Sequence, residues 1–285
     1  MTNATSSEFK AVFSDTVWSD RFYKFLQNIY RLYPEDQFHA LIQQTSTELD
    51  TDEAIYRRIQ RNLPGIKPFL ADLRLALPAL FKQKREMARQ TLHLLGDRRQ
   101  FNGYLEIGSK GRYISELRKH ITIKGPIVLV NEFAPSFSPV DIAERGQLGK
   151  LGQFYPLANY APLHADIAAQ SMDIVSCYIG LHHIELNQLD TFIASIVRVL
   201  RPGGIFILRD HDVCTPEMHR FVSLVHAVFS AGLMETWETN QAELRFFRPV
   251  QEWVDILARH GLQDSGHREL QDHDPSDNVL MSFVK

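Results

Sequence analysis

Cysteine is scarce in this chain: two residues, Cys177 and Cys214, among 285. Neither has a partner at a metal-ligand spacing, so neither a zinc module nor a disulfide framework is supported. No apolar run approaches the roughly 18 residues of a membrane span. Internal repeats and low-complexity tracts are missing too. So is a large charge of either sign: the formal net charge is −3. That argues against non-specific nucleic-acid binding, which needs a basic surface to displace counterions. Met1 to Ser7 is polar, without an apolar signal core. A reducing cytoplasm is the expected compartment, with no membrane or nucleic-acid partner.

What is present is ordinary globular material, 44% hydrophobic and 23% charged. It suffices for a sizeable core in one large domain or two small ones. The first hundred residues read as helices. Trp18, Phe22, Phe25, Ile29 and Tyr33 repeat at the helical period, and Pro34 is expected to end that helix. Phe38, Leu41 and Ile42 suggest a second helix. Asp50 with Glu53 looks like a capping box ahead of the stripe Ile55, Tyr56 and Ile59, which Pro64 and Gly65 should break. A longer helical stretch runs over 69–95, kinked or split at Pro78 and stopped at Gly96. Its basic run, Lys82, Lys84, Arg85 and Arg89, reads as a solvated face.

Near residue 103 the pattern changes to strand, helix, strand. Apolar β runs occur at 104–107, 127–130, 174–179, 205–208 and 279–284. The first four are almost continuously apolar, as befits strands buried on both faces of a parallel sheet. The alternation is that of an open α/β sheet. After it comes an insertion over 213–248. Thr215 and Pro216 start a helix striped by Phe221, Leu224, Val225 and Val228 and stopped at Gly232, and an aromatic-rich segment follows. This insertion reads either as core or as a lid over a pocket.

In such sheets ligands sit outside the carboxyl ends of the strands, and the polar candidates fall there. Glu106 and the turn Gly108, Ser109, Lys110, Gly111 close the first strand. The glycines would let backbone approach a ligand. Glu132 follows the second strand, where a carboxylate can accept two ribose hydroxyls. Asp166, with Ile167 beside it, could accept from an adenine amine. Singly, each has a bland explanation: a glycine turn, a surface acid, a helix or turn cap. Their order at successive strand ends makes the joint reading a nucleoside site.

These residues resemble the class I S-adenosylmethionine-dependent methyltransferases over roughly residues 100–285. The likeness is to small-molecule methyltransferases with Leu-His-His after the fourth strand and Arg-Pro-Gly-Gly before the fifth, here 181–183 and 201–204. The resemblance implies a Rossmann-like seven-stranded, mostly parallel sheet with an antiparallel last strand (residues 99–285), here preceded by an all-helical cap (1–98). It implies S-adenosylmethionine as cofactor, with Glu106 and Gly108 near its methionine end, Ser109 and Gly111 also among the cofactor-binding residues, Glu132 on the ribose, and Asp166 with Ile167 on the adenine. Cys177 and Tyr178 would line the sulfonium side. The departure is in the glycine loop. The family pattern is E/D-x-G-x-G-x-G, whereas this chain has Lys110 and Arg112 at the later glycine positions and Gly111 offset by one.

On the acceptor side His183, His211 and Asp210 are the candidate catalytic residues, with His182 and Asp212 beside them. A histidine is suited to take a proton from a hydroxyl or protonated nitrogen near neutral pH. No metal site is expected, since no helical His spacing supports one. The expected function is methyl transfer to a small-molecule acceptor. The alternative is a catalytically inactive, cofactor-binding regulatory protein on the same fold, which the basic loop motivates. The apolar helix faces of the N-terminal region would cap the pocket or form a homodimer seam.

Overall fold

The structure, a computed structural model, describes residues 7–68 and 72–285. In chain order the first helices are α1 (Glu8–Phe13), α2 (Thr16–Phe25), α3 (Glu35–Glu48), α4 (Asp52–Ile66) and α5 (Leu77–Leu94). Then come β1 (Gln100–Ile107), α6 (Ile114–Leu117), β2 (Thr122–Asn131), α7 (Pro139–Arg145), β3 (Gln153–Pro156) and β4 (Met172–Cys177). The rest are α8 (Leu186–Val199), β5 (Leu200–His211), α9 (Pro216–Gly232), α10 (Trp237–Ala242), α11 (Val250–Arg259), β6 (Gln263–Glu269) and β7 (Asn278–Val284). A π-helical turn, Leu26–Tyr30, extends α2, and another, Asp72–Ala76, leads into α5.

The chain forms two compact units. One is helical and comprises Met1–Ala79, Asp212–Phe247 and Asp272–Asp277; the other comprises Leu80–His211, Arg248–Gln271 and Asn278–Lys285. The division therefore falls after Ala79 and not near residue 98. The physical reason is that Met87 and Leu94 of α5 pack into the sheet's core with Tyr104, Ile114 and Leu117.

In the helical unit the aromatic stripe of α2 buries Phe22 and Phe25. They meet the apolar face of α9: Phe22 lies 6.0 Å from Phe221 and Phe25 5.8 Å from Phe229, ring centre to ring centre. Phe38, Ile42, Ile55, Tyr56 and Ile59 complete this core. The segment after β5 is thus a central member of the helical core. Of the two faces that suggested a dimer seam, the one over Trp18–Tyr33 buries Phe22, Phe25 and Tyr33 within the unit, whereas Phe81, at the end of the other, is exposed. Thr215 caps α9 by accepting from the Met218 amide at 3.1 Å, as its Thr-Pro start predicts.

Several local expectations change. The N-cap of α4 is Thr51, accepting from the Ala54 amide, while Asp50 pairs with Lys10. Pro64 does not break α4, because it stands in the last turn, where its missing N–H removes only one bond. Pro78 stands two residues after the π-helical turn Asp72–Ala76, so the helical stretch changes type just before the proline. The beginning of the predicted 69–95 helix, residues 69–71, lies outside the described residues.

The sheet of the second unit has seven strands in the order β3-β2-β1-β4-β5-β7-β6. β1 through β5 pair parallel, and β7 runs antiparallel to both its neighbours. Both faces are covered. Leu105, Val128, Val175 and Phe206 pack toward α8 and α11. Tyr104, Leu129, Ile174 and Ile207 pack toward α5 and α6. That double burial explains the unbroken apolar runs. Strand order reverses between β1 and β4, so the crevice beyond their carboxyl ends is the topological switch point.

Within the helical unit Glu8 titrates near 7 instead of 4.5, chiefly because it is buried, with the Asp52 charge adding to that effect against the attraction of Arg245. A carboxyl raised in this way favours the fold fully below its ordinary value, and the contribution is lost as pH rises through about 7. Glu8→Gln should therefore flatten the decline in melting temperature between pH 5 and 8. It should stabilise the protein at pH 8 by roughly 2–3 kcal/mol relative to wild type, as measured by thermal melts across that range.

Candidate active site

The turn after β1 is organised by one carboxylate. Glu106 is fully buried. Its Oε2 accepts from the Tyr104 hydroxyl at 2.9 Å and the Ile114 amide at 2.8 Å, and its Oε1 from the Tyr113 amide at 3.2 Å and the Ser109 hydroxyl. Burial raises its pKa, and the four donors oppose that rise. Ser109 in turn accepts from the Gly111 and Arg112 amides, each at 3.0 Å. Glu106 and Ser109 therefore shape the loop from inside and present no polar group outward.

Gly111 has φ +98°, and a Cβ there would stand 2.6 Å from Leu151. That is why the glycine is offset from the expected spacing: position 111, not 110 or 112, carries the left-handed backbone. Lys110 and Arg112 point to α7. The Lys110 ammonium lies 3.0 Å from Asp141, and Arg112 pairs with Glu144. Lys84, expected on a solvated face, is buried and donates to the carbonyls of Ala143 and Glu144 at 3.2 and 2.7 Å. Its role needed the tertiary structure, because its carbonyl partners lie some 60 residues away in sequence.

Along the strand tips, Ile107 is in register with Val130 of β2 and Cys177 of β4. Gly108 is therefore level with Asn131 and Tyr178. Its amide donates to the Val130 carbonyl at 2.7 Å. Glu132 is exposed, one residue past the β2 tip, and among the described residues forms no hydrogen bond or ion pair. Gly108 has φ +84°, and the Ile179 side chain lies so close that a Cβ on Gly108 would stand 2.4 Å from it.

Cys177 and Tyr178 stand in this row with their side chains turned inward. The Cys177 thiol faces the core, contacts the Gly180 carbonyl at 3.5 Å and is pushed up to about 12 by burial, so it is no nucleophile. The Tyr178 hydroxyl bonds Thr91 at 2.8 Å, and its ring packs 4.2 Å from Tyr113. Asp166 is exposed, with its carboxylate 3.6 Å from His164 Nδ1, while Arg198 and Ser195 of α8 hold the backbone of Leu163 and Ile167. The structure does not bring Asp166 into the strand-tip row. Immediately after β3 stand Ala158, Asn159 and Tyr160, all with positive φ. The sequence carries no glycine signal for that turn.

The histidines do converge. Asp210 is buried and accepts from His182 Nδ1 at 2.7 Å, the Leu181 amide at 2.8 Å and the His211 amide at 2.8 Å. Burial alone would raise its pKa; the His182 charge and hydrogen bond, the His211 charge and the Leu181 amide outweigh that and hold it below the usual range. Asp210 thus orients His182, a residue the sequence left in second place. The His183 ring lies 4.1 Å from that of His182 and is less buried than either His182 or His211. His211 sits 5.8 Å from His182, with the Asn278 amide 3.3 Å from its Nε2. Gly180, φ +84°, is required here because a Cβ would lie 2.5 Å from the His182 ring.

Residues 105–208 match a family model described as a methyltransferase domain. No curated protein sequence matches the chain. Among solved structures, an O-methyltransferase family 2 protein from Planctomyces limnophilus, determined with apigenin, gives a TM-score of 0.52 at 12% identity, covering 87% of this chain and 69% of that one. The CurJ carbon methyltransferase gives 0.51 at 14% identity, covering 94% and 70%. A Burkholderia thailandensis 1,6-didemethyltoxoflavin-N1-methyltransferase gives 0.48 at 18% identity, covering 73% and 78%. At these identities the likeness concerns the fold.

Asp210→Asn should cost about 3 kcal/mol at pH 7, because it removes the charge from a buried pair. The carboxylate's contribution is present above its ordinary value of 3.8 and is lost as pH falls through its lower folded value. The gap in melting temperature between variant and wild type should therefore narrow below about pH 4, which melts at pH 3.5 and 7 would check.

Proposed function

The α/β unit belongs to the class I S-adenosylmethionine-dependent methyltransferases, and from that premise we propose that the chain transfers a methyl group from S-adenosylmethionine to a small-molecule acceptor. The observation that carries this reading is Glu132: an exposed carboxylate with no partner among the described residues, one residue past the β2 tip, beside a left-handed Gly108 at the switch point. Such a carboxylate fits a ribose diol, which supplies two hydroxyl donors, and Gly108 and Ile179 offer a close, apolar backbone surface next to it. No basic cradle for a pyrophosphate accompanies them: the cations of the loop, Lys110 and Arg112, are turned into ion pairs with α7. The adenine contact read for Asp166 and Ile167 is not carried forward, because that segment is held against α8.

When bound, the cofactor supplies an electrophilic methyl on a sulfonium, so the reaction needs little covalent help from the protein. The tasks left to the chain are to position the two reactants, exclude water and, for a hydroxyl or protonated nitrogen acceptor, receive a proton. His183 is assigned that last task, being the least buried of the three histidines. His182, anchored by Asp210, holds the turn that presents it. Asp210 is a positioning residue in this scheme and touches no acceptor.

Titration calorimetry with S-adenosylhomocysteine tests the reading. Wild type should bind, and Glu132→Ala should lose about 10- to 100-fold in affinity, the scale of one or two charge-assisted hydrogen bonds. Unchanged affinity in the variant contradicts the ribose assignment. Binding without transfer to any of a broad panel of hydroxyl, amine and carbon acceptors would favour the regulatory alternative.

A further inference from the structure

The basic residues that replace glycines in the cofactor loop have a role of their own. We propose that Lys110 is a positioning residue of the nucleoside site: through Asp141 it clamps the loop after β1 to the segment after β2, setting the spacing between Gly108 and Glu132. The inference rests on the cofactor site assigned above.

The geometry is a three-member link. Lys110 Nζ lies 3.0 Å from Asp141 Oδ1 and 3.2 Å from Oδ2. Asp141 Oδ2 also accepts the backbone amide of Ser136, at 2.6 Å, four residues beyond Glu132. Asp141 is nine-tenths or more buried, and its carboxyl is held below the usual range: burial would raise it, but the Ser136 hydrogen bonds and the Lys110 charge prevail. Its place on the fold is fixed by α7, whose N-cap Ser138 accepts the Asp141 amide at 3.2 Å. One turn on, Glu144 of the same helix takes Arg112. Two cations from one loop thus reach two carboxylates three positions apart on one helix face. Arg145 secures the far side by donating to the carbonyls of Gln147 and Leu148, both at 2.8 Å, and to that of Ser136.

The clamp answers a problem that the sequence poses. Glycines at 110 and 112 would let the loop settle against a ligand; lysine and arginine there remove that freedom. The ion pairs replace adaptability with a preset conformation, so that less ordering remains to be done on binding. A partly buried ammonium–carboxylate pair that also satisfies a backbone amide is a sturdier fastening than an exposed surface pair.

The test is calorimetry of S-adenosylhomocysteine and of 5′-methylthioadenosine, its nucleoside fragment, with thermal melts alongside. Lys110→Met should weaken both ligands about tenfold. Lys110→Arg should stay within about twofold of wild type, and Lys110→Met combined with Asp141→Asn should be no worse than the weaker single variant. Hydrogen exchange at the Ser136 amide should quicken in Lys110→Met and in Asp141→Asn. Asp141→Asn, which keeps the side-chain shape, serves as the readout if Lys110→Met does not fold. Affinity within twofold of wild type in a folded Lys110→Met, or in Asp141→Asn in its place, overturns the clamp, as does full additivity in the double variant. Failure of wild type to bind either ligand overturns the cofactor reading itself, which is a separate outcome.

Discussion

A single buried carboxylate holds the ligand end of the sheet together. Glu106 leaves β1 pointing into the apolar layer between the sheet and α6, where an unsatisfied charge would cost several kcal/mol. Four donors meet it, two of them backbone amides at the start of α6. Meeting that requirement folds the loop back on itself, places Gly108 and Gly111 in left-handed conformations and turns Lys110 and Arg112 outward to α7. The crevice between β1 and β4 therefore has its shape because a charge beneath it must be hydrogen-bonded.

The acids of this unit divide the work by their surroundings. Glu106 and Asp141 are enclosed and engaged, and they organise backbone. Asp210 is enclosed with an imidazole and organises a turn. Glu132 alone among them is exposed and unengaged at the tip of its strand. In the function proposed above, the ribose falls to the group whose hydrogen-bonding capacity the described residues do not use. His182 and His183 differ in burial: the more buried imidazole is fastened to Asp210, and its neighbour is half-buried.

The helical unit shows a second constraint. Its N-terminal helices carry more apolar surface than they can bury among themselves. The balance comes from α9, nearly 200 residues later, whose stripe supplies Phe221, Leu224, Val225 and Val228 to the common core. Gly232 closes that helix where a Cβ would stand 1.6 Å from the Tyr30 hydroxyl. The core is long-range in sequence, so a reading that proceeds along the chain sees an insertion where the fold has a central element.

By itself the sequence determined five of the seven strands and the longer helices, the sheet's class and the cap at Thr215; the short β3 and the polar β6 carry no apolar run to read. These are local matters: period, propensity and turn chemistry are written within a few residues of where they act. Tertiary structure alone decided which polar groups near the strand tips are exposed and which are enclosed. Glu106, Ser109, Cys177 and Tyr178 stand at the expected positions but are turned inward, and the backbone on either side of Asp166 is held to α8 by Arg198. It also decided that Lys84, Lys110 and Arg112 fasten α7, that Asp210 holds His182, and that α9 belongs to the helical core. Each of these depends on a partner distant in the chain, and a hydrogen bond or ion pair between distant residues leaves no period or spacing to read.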